Sequence, residues 1–418
     1  MHIVFILLTI IVPPLGIPLG LIGFYSDRRQ WKVFAFVIAL AVASFAYNYD
    51  PLTASDIVRY FDFIEEIRKV SLLRAFGYGS YGSSGLYVFT IACWIAGKLG
   101  DPRIIPALSV FFVYYLSIYM TGKVAEDLQC KRRSLMVSLL FILTTLNFYA
   151  ITNNVRNVLA LVLIGYATFR DCFEHKHTPF TYILYILPIF IHTSAILVLA
   201  LRILLTFSGF IKWVGLGIAV LVQPLLVLLY PLSRSMKEGV LSYVGNAIAK
   251  AHNYYMDDHS AWGLTVQASI SESLFKILYV TICIILGLCV LLVLGRKSYL
   301  KTRGTLSPVP KGVNRVLSLS FYTDLIVIGC IPMLMPIYWR FCASMISYSG
   351  GGLLMCEKYS MRKDCFEIAR LVCVVLGVCV MPLWWRNLVV YSSVFNMFIG
   401  AFSSSPVIVF VRDLIKFF

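Results

Sequence analysis

Residues 153–195 read NNVRNVLALVLIGYATFRDCFEHKHTPFTYILYILPIFIHTSA, and their reading decides the fold. An apolar helix opens on Asn153, Asn154, Arg156 and Asn157. A basic loop follows, then an apolar run interrupted by Pro188 and His192. An Arg at the centre of a membrane helix costs about 2.5–3.5 kcal/mol, so such residues persist where they face a polar cavity or a charged ligand. A fixed cation and an imidazole together imply an anionic ligand.

Apolar runs recur along all 418 residues, which are 60% hydrophobic and 13% charged, with a mean hydropathy of +0.84. A soluble domain carries about 25% charged residues. The expectation is an all-α, polytopic integral membrane protein built as one membrane domain. The net charge of +16 does not point to nucleic acid. Its cations lie in short loops, as cytoplasmic loops of membrane proteins require. Residues 1–32 lack a basic stretch ahead of the apolar run and a small-residue cleavage site, so they read as an uncleaved first helix entering from outside. The eleven cysteines are scattered through apolar spans without a C-x-x-C pair and read as small packing residues.

Charge asymmetry sets the expected topology. The segment GRKSYLKTRGTLSPVPKGVNR, Gly295–Arg315, holds six cations and no acid and reads as a flexible cytoplasmic loop, centred on residues 296–314. The length rule gives about 11 transmembrane helices, with the N-terminus outside and the C-terminus inside. Residues 179–207 lie between two inside markers and are too short for two spans of about 20 residues each, so they are expected to form a re-entrant hairpin bending near Pro188–His192. Leu86–Thr121 must cross an odd number of times yet holds two apolar runs, one of them interfacial or re-entrant. Two outer loops, 50–85 and 233–272, each carry an amphipathic pattern. In Asp56–Val70, Ile57, Tyr60, Phe61, Ile64 and Ile67 share one face, as in a helix lying on a membrane surface. Gly239–Tyr255 repeats the theme.

The candidate chemistry gathers on the outer side. Arg156 at a helix start suits phosphate, because its planar fork meets two oxygens and the helix end adds unpaired N–H groups. The bland alternative is an Arg snorkelling to the interface. Arg340, in PIYWRF, stands in a similar setting, whereas Arg386 after Trp384-Trp385 reads as an aromatic-belt anchor. His192 beside Thr193 and Ser194 is either a structural hydrogen-bonder or a group that orients a phosphate or sugar hydroxyl or carries protons. Asp56 either caps its helix, from the pattern Thr53-Ala-Ser-Asp56, or acts as general base on a sugar hydroxyl. Asp257, Asp258 and His259 read as a solvated loop tip. No D-x-D, G-x-x-x-x-G-K-[ST], G-x-S-x-G or H-E-x-x-H occurs, which argues against a P-loop ATPase, a serine hydrolase and a zincin.

These residues together resemble a family. D-x-x-R-Y (Asp56, Arg59, Tyr60), N-x-x-R-N (Asn153, Arg156, Asn157), the FIHTSA bend around His192 and a late Tyr-x-Arg (Tyr338, Arg340) are similar in order and spacing to the EpsG branch of Wzy-type polysaccharide polymerases. The likeness covers most of the chain up to Tyr348 and departs at Asn157, where the pattern carries Gln. It implies a bacterial inner-membrane glycosyltransferase with a GT-C-like fold. Such an enzyme joins oligosaccharide repeat units carried on undecaprenyl diphosphate into exopolysaccharide, capsule or O-antigen, without nucleotide sugar, cofactor or metal. It implies Asp56 as catalytic carboxylate, and Arg59, Tyr60, Asn154, Arg156, Asn157, His192 and Arg340 as substrate or diphosphate ligands. A flippase and a chain-length regulator are the implied pathway partners. Two other readings remain open: a GT-C-like lipid-phosphate-dependent transferase or O-antigen ligase, and a polysaccharide or lipid transporter, which is not an enzyme.

The topology is testable. A cysteine placed at position 305 is expected to resist membrane-impermeant reagents in whole cells, and cysteines at positions 56 and 340 to react. Labelling of position 305 from outside overturns the map.

Overall fold

The computed structural model describes residues 2–51, 55–82, 84–207, 221–233, 270–295, 309–330, 335–360 and 363–403, with isolated positions beyond them. The described chain is all-α and contains no strand. In order, the helices are α1 (His2–Ile11), α2 (Gly16–Ser26), α3 (Trp31–Tyr47), α4 (Asp56–Ile67), α5 (Leu72–Ala75), α6 (Gly79–Gly82), α7 (Tyr87–Leu99), α8 (Ile104–Asp127), α9 (Arg132–Thr145) and α10 (Phe148–Asn153). Then follow α11 (Val155–Cys172), α12 (Pro179–Ile186), α13 (Ala195–Leu204), α14 (Val222–Ser233), α15 (Ile270–Leu294), α16 (Lys311–Gly329), α17 (Met335–Tyr359), α18 (Lys363–Tyr391) and α19 (Val394–Ser403).

Three of these, α8, α15 and α18, are long and apolar enough to cross a membrane. The expected number of about 11 is not reached among the described residues, for three physical reasons. The first apolar run is split by Pro13 and Pro14 into α1 and α2, since proline donates no backbone hydrogen bond. Helix α3 stops at 17 residues. Helices α11, α16 and α17 are long enough, but each carries three or more charged residues. Of the two apolar runs in Leu86–Thr121, α8 has spanning length and α7, at 13 residues, does not.

The core lies between α3, α8, α11, α17, α9 and α18. Close helix approach at two glycines sets its geometry. A Cβ on Gly165 of α11 would sit 2.6 Å from Tyr348 Cδ1 of α17, and a Cβ on Gly350 would sit 2.6 Å from Ile142 Cδ1 of α9. Small residues at such crossings let helix backbones approach, which holds α11 and α17 side by side.

Helix α4 has the expected amphipathic pattern, but its apolar face does not look outward. Ile57, Tyr60, Phe63, Ile64 and Ile67 are buried, and Gly97 of α7 lies against Ile64 and Arg68. Phe61, expected on that face, is only partly buried, and Phe63 takes its place. The pattern of α4 therefore reports packing against protein, chiefly α7, rather than a membrane surface. Together α4 and α7 cap the bundle where α3 ends and α8 begins. The loop 233–272, with its second amphipathic pattern and Asp257, Asp258 and His259, lies largely outside the described residues, as do the basic loop 296–308 and Lys212.

The two ends of the bundle differ. At one end Arg370 is fully buried; it pairs with Glu357 at 2.5 Å and donates to Ser134 Oγ at 3.2 Å. Lys131, Arg132 and Arg133 at the start of α9 are exposed, and Arg133 pairs with Glu367 of α18 at 3.2 Å. At the other end Asp101 accepts the Tyr47 hydroxyl and a fork from Arg103, with Nε and Nη2 both at 2.9 Å. The Arg103 guanidinium also lies 4.6 Å from the centre of the Tyr47 ring.

Burial alone would raise the Asp101 carboxyl, but its bonds from Arg103 and Tyr47 outweigh that and hold it below the usual carboxylate range. A depressed folded value stabilises the fold at neutral pH, and that contribution is lost as pH falls below about 4 and through the lowered value. The melting temperature of the detergent-solubilised protein is therefore expected to fall over that acid range, and Asp101→Asn to be less stable at pH 7 but flatter in acid. Equal acid slopes for both proteins contradict this assignment.

Candidate functional site

The site is made by a helix break. Asn147 caps α10 by accepting from the Ala150 N–H at 2.9 Å. Seven residues later the chain leaves helical geometry at Asn154, with φ −106° and ψ 45°, and starts again as α11. Asn154 is the residue that would ordinarily cap α11 with its side-chain oxygen. It makes no such cap. Its Oδ1 instead accepts two bonds from Arg340 of α17, from Nε at 3.1 Å and Nη2 at 2.8 Å. Asn157 and Val158 donate to the Asn154 carbonyl at 3.1 and 3.3 Å. The start of α11 therefore keeps its positive dipole end without a side-chain cap.

Arg156 stands in that first turn and is 7% exposed. Three rings enclose its guanidinium, with centres at 5.0 Å (Tyr60), 4.5 Å (Tyr81) and 5.0 Å (Phe89). Its Nε donates to the Tyr60 hydroxyl at 3.3 Å. No carboxylate lies within 4.0 Å of it among the described residues. Tyr81 does not supply the missing charge. Burial first, and Tyr60 second, push its phenol up to about 12 despite the opposing pull of Arg156, so it stays neutral at physiological pH. Each cation–π contact is worth about 2 kcal/mol when desolvated, against the several kcal/mol lost by taking an ion out of water. The cage holds the cation in place without neutralising it.

A second arm reaches the same helix start. The chain from α12 passes through a 3₁₀ turn (Leu187–Phe190) to a bend at His192–Ser194 and then into α13. The Ser194 hydroxyl lies 2.9 Å from Asn157 Oδ1 and 2.8 Å from His192 Nδ1. His192 is 8% exposed. The two legs of this hairpin return to the far end of α11. Arg170 donates to Thr181, near the start of α12, at 3.3 Å. Arg202 of α13 pairs with Asp171, and Tyr185 of α12 joins both, donating to Asp171 at 3.1 Å and accepting from Arg202 at 3.0 Å. The hairpin is thus pinned to α11 at both levels: its bend at Asn157, its base at Asp171.

The structure brings together most of the residues singled out in the sequence. Tyr60, Asn154, Arg156, Asn157, His192 and Arg340 converge although they span nearly 300 positions. Asn153 donates to the Tyr49 hydroxyl and the Tyr149 carbonyl, both at 3.1 Å, and so supports the wall behind. Asp56 and Arg59 lie at the rim. They pair with each other at 3.6 Å, with side chains 43% and 75% exposed, and both act electrostatically on Tyr81. Asp56 is not the cap of α4; that position falls to Ser55. Arg386 is exposed on α18, within the helix rather than in a link. The Tyr338 side chain lies outside the described residues. The sequence missed Phe89, which carries no pattern of its own, and Ser194, whose link to Asn157 follows only from the hairpin. No group of three metal-ligating side chains occurs among the described residues.

Searches of protein-family models, curated proteins and solved structures each return no match to the chain.

The Arg202–Asp171 pair is the hinge pin of this arrangement. Arg202→Ala leaves the partly buried Asp171 carboxylate with only His177 and the Tyr185 hydroxyl, and is expected to cost about 1–3 kcal/mol. Asp171→Ala combined with Arg202→Ala should cost less than the sum of the singles, measured as a double-mutant cycle on thermal unfolding. Strict additivity contradicts the pinning role.

Proposed function

We propose that this chain is a membrane glycosyltransferase that polymerises oligosaccharide repeat units carried on undecaprenyl diphosphate. The observation that carries the reading is the Arg156 guanidinium, buried without a carboxylate at the open start of α11. A diphosphate supplies the missing negative charge and meets the positive, uncapped start of α11. Arg340, held on Asn154, adds a second cation to the same region, and His192 approaches from the hairpin. In this reading departure of lipid diphosphate builds negative charge, and fixed donors in a partly dry site stabilise that charge more than water does. The exposed rings of Tyr78 and Tyr87 offer faces on which sugars stack. Asp56 stands at the rim, open enough to reach an incoming sugar hydroxyl and take its proton as the new glycosidic bond forms.

The remaining architecture fits the same reading. The site end is the outer face, and the basic end with Lys131, Arg132, Arg133 and Lys311 is cytoplasmic. Helices too short or too polar to meet the length rule alone complete a GT-C-like bundle of about 11 crossings, and the hairpin of α12 and α13 is re-entrant. The transporter alternative expects charged sites at mid-depth between repeats; Arg156 and the Asn154–Arg340 contact instead lie together at the start of α11, which favours transfer over transport.

The test is incubation of the purified protein with a lipid-linked repeat unit, followed by gel analysis. A ladder of products is expected. Arg156→Ala and Arg340→Ala should each abolish the ladder and leave single units on the carrier. Lys at either position should restore little, because it offers a point charge in place of a fork. Asp56→Asn should slow the reaction by about 10²–10⁴-fold at unchanged protein level. A ladder of normal length from both Arg→Ala variants overturns the diphosphate assignment, and no ladder from the wild type overturns the function.

A further inference from the structure

His192 has two ring nitrogens, and the structure distinguishes them. The backbone N–H of Ser194 points at Nδ1 with N···N 3.1 Å. A nitrogen that receives an N–H must present its lone pair, so a proton on Nδ1 would meet the Ser194 amide proton head-on. The Ser194 hydroxyl lies 2.8 Å from the same Nδ1. Its single proton has two acceptors in reach, Nδ1 and Asn157 Oδ1 at 2.9 Å. In either choice Nδ1 accepts. The neutral imidazole must then carry its proton on Nε2.

The bend itself enforces this. His192 donates its own N–H to the Pro188 carbonyl at 2.9 Å, and Ala195 donates to the His192 carbonyl at 3.1 Å. These bonds fix the backbone on both sides of the ring, so the Ser194 amide is held where it meets Nδ1. Asn157 fixes the Ser194 hydroxyl from α11. The contact partner at position 157 is a short amide, and its oxygen reaches Ser194 from the first turn of the helix that carries Arg156.

From this geometry we infer that Ser194 and Asn157 are positioning residues that lock neutral His192 as an Nε2–H donor, so that His192 gives a hydrogen bond to an anionic oxygen and does not serve as the base. This deepens the polymerase reading and rests on it for the identity of the oxygen. A base at this position would need a bare Nε2, which the Ser194 amide forbids in the neutral ring. Proton removal from the attacking hydroxyl therefore falls to a different group, and His192 acts on the leaving side. There it donates its Nε2–H to the departing diphosphate oxygen and keeps the proton, while the electron pair of the breaking bond to the anomeric carbon stays on that oxygen.

Two measurements test the assignment, and the first needs no activity. Nitrogen NMR of the full chain with labelled histidine, with His192→Gln used to identify the signal among the six histidines, should show a bare Nδ1 and a protonated Nε2 in the neutral ring. A protonated Nδ1 overturns the inference. The second compares substitutions that mimic one nitrogen each. The Gln amide places an N–H near the Nε2 position and the Asn amide near the Nδ1 position. With a lipid-linked repeat unit as substrate, His192→Gln should retain activity within about tenfold, while His192→Asn should lose about 10²-fold or more, the scale of one hydrogen-bond donor at a developing oxyanion. Equal losses in the two variants, at equal melting temperature, overturn it. A wild type without polymerase activity refutes the polymerase reading and leaves the spectrum to decide the tautomer.

Discussion

One buried charge without a counter-ion organises the site end of this protein. Arg156 lies under Tyr60, Tyr81 and Phe89, in the first turn of α11, and no carboxylate pairs with it among the described residues. Three aromatic faces, at about 2 kcal/mol each, offset much of the cost of removing the ion from water but supply no negative charge. The packing of the cage is specific. Helix α4 is present so that Tyr60 faces inward, and α7 is present so that Phe89 closes the cage. The break at Asn154 leaves the helix start open because Asn154 spends its oxygen on Arg340. A residue that usually neutralises a helix end here brings in a second cation.

The other half of the design is leverage over distance. The pair Asp171–Arg202 and the Tyr185 hydroxyl sit at the far end of α11, about 20 Å from Asn157 at 1.5 Å per residue. They fix the base of the hairpin, and a hairpin fixed at its base has little freedom at its bend. His192 and Ser194 thus reach Asn157 in a set orientation. The same helix carries the caged cation at one end and the pin of the hairpin at the other, which makes α11 the spine of the site. Gly165, midway, allows Tyr348 of α17 to lie directly against it and so sets the distance from Arg156 to Arg340.

Much of this was legible in the residues. Arg156, Arg340 and His192 stand out because a charge or imidazole in an apolar run is costly and needs a reason. The hairpin geometry of 179–207 was suggested by Pro188 and by a length too short for two spans. The amphipathic period of α4 was visible, but the surface it meets was not, since protein and lipid ask for the same apolar stripe. The number of long apolar helices was over-read for a related reason. Hydropathy sums along the chain and does not register that Pro13 and Pro14 split one run, or that α11 and α16 carry charges at their ends and within. The cage residue Phe89 and the tautomer of His192 were invisible, because each depends on a contact between segments far apart in sequence or on one backbone amide.

The central claim is that the open start of α11, with Arg156 and Arg340, receives a diphosphate. The most direct measurement is a structure of the protein bound to undecaprenyl diphosphate. The account predicts phosphate oxygens within hydrogen-bond distance of the Arg156 guanidinium and of the Val155 or Arg156 amide, with Arg340 on the same group. Diphosphate bound instead at the opposite, basic end, with Arg156 still enclosed by Tyr60, Tyr81 and Phe89 and touching no phosphate, would contradict it.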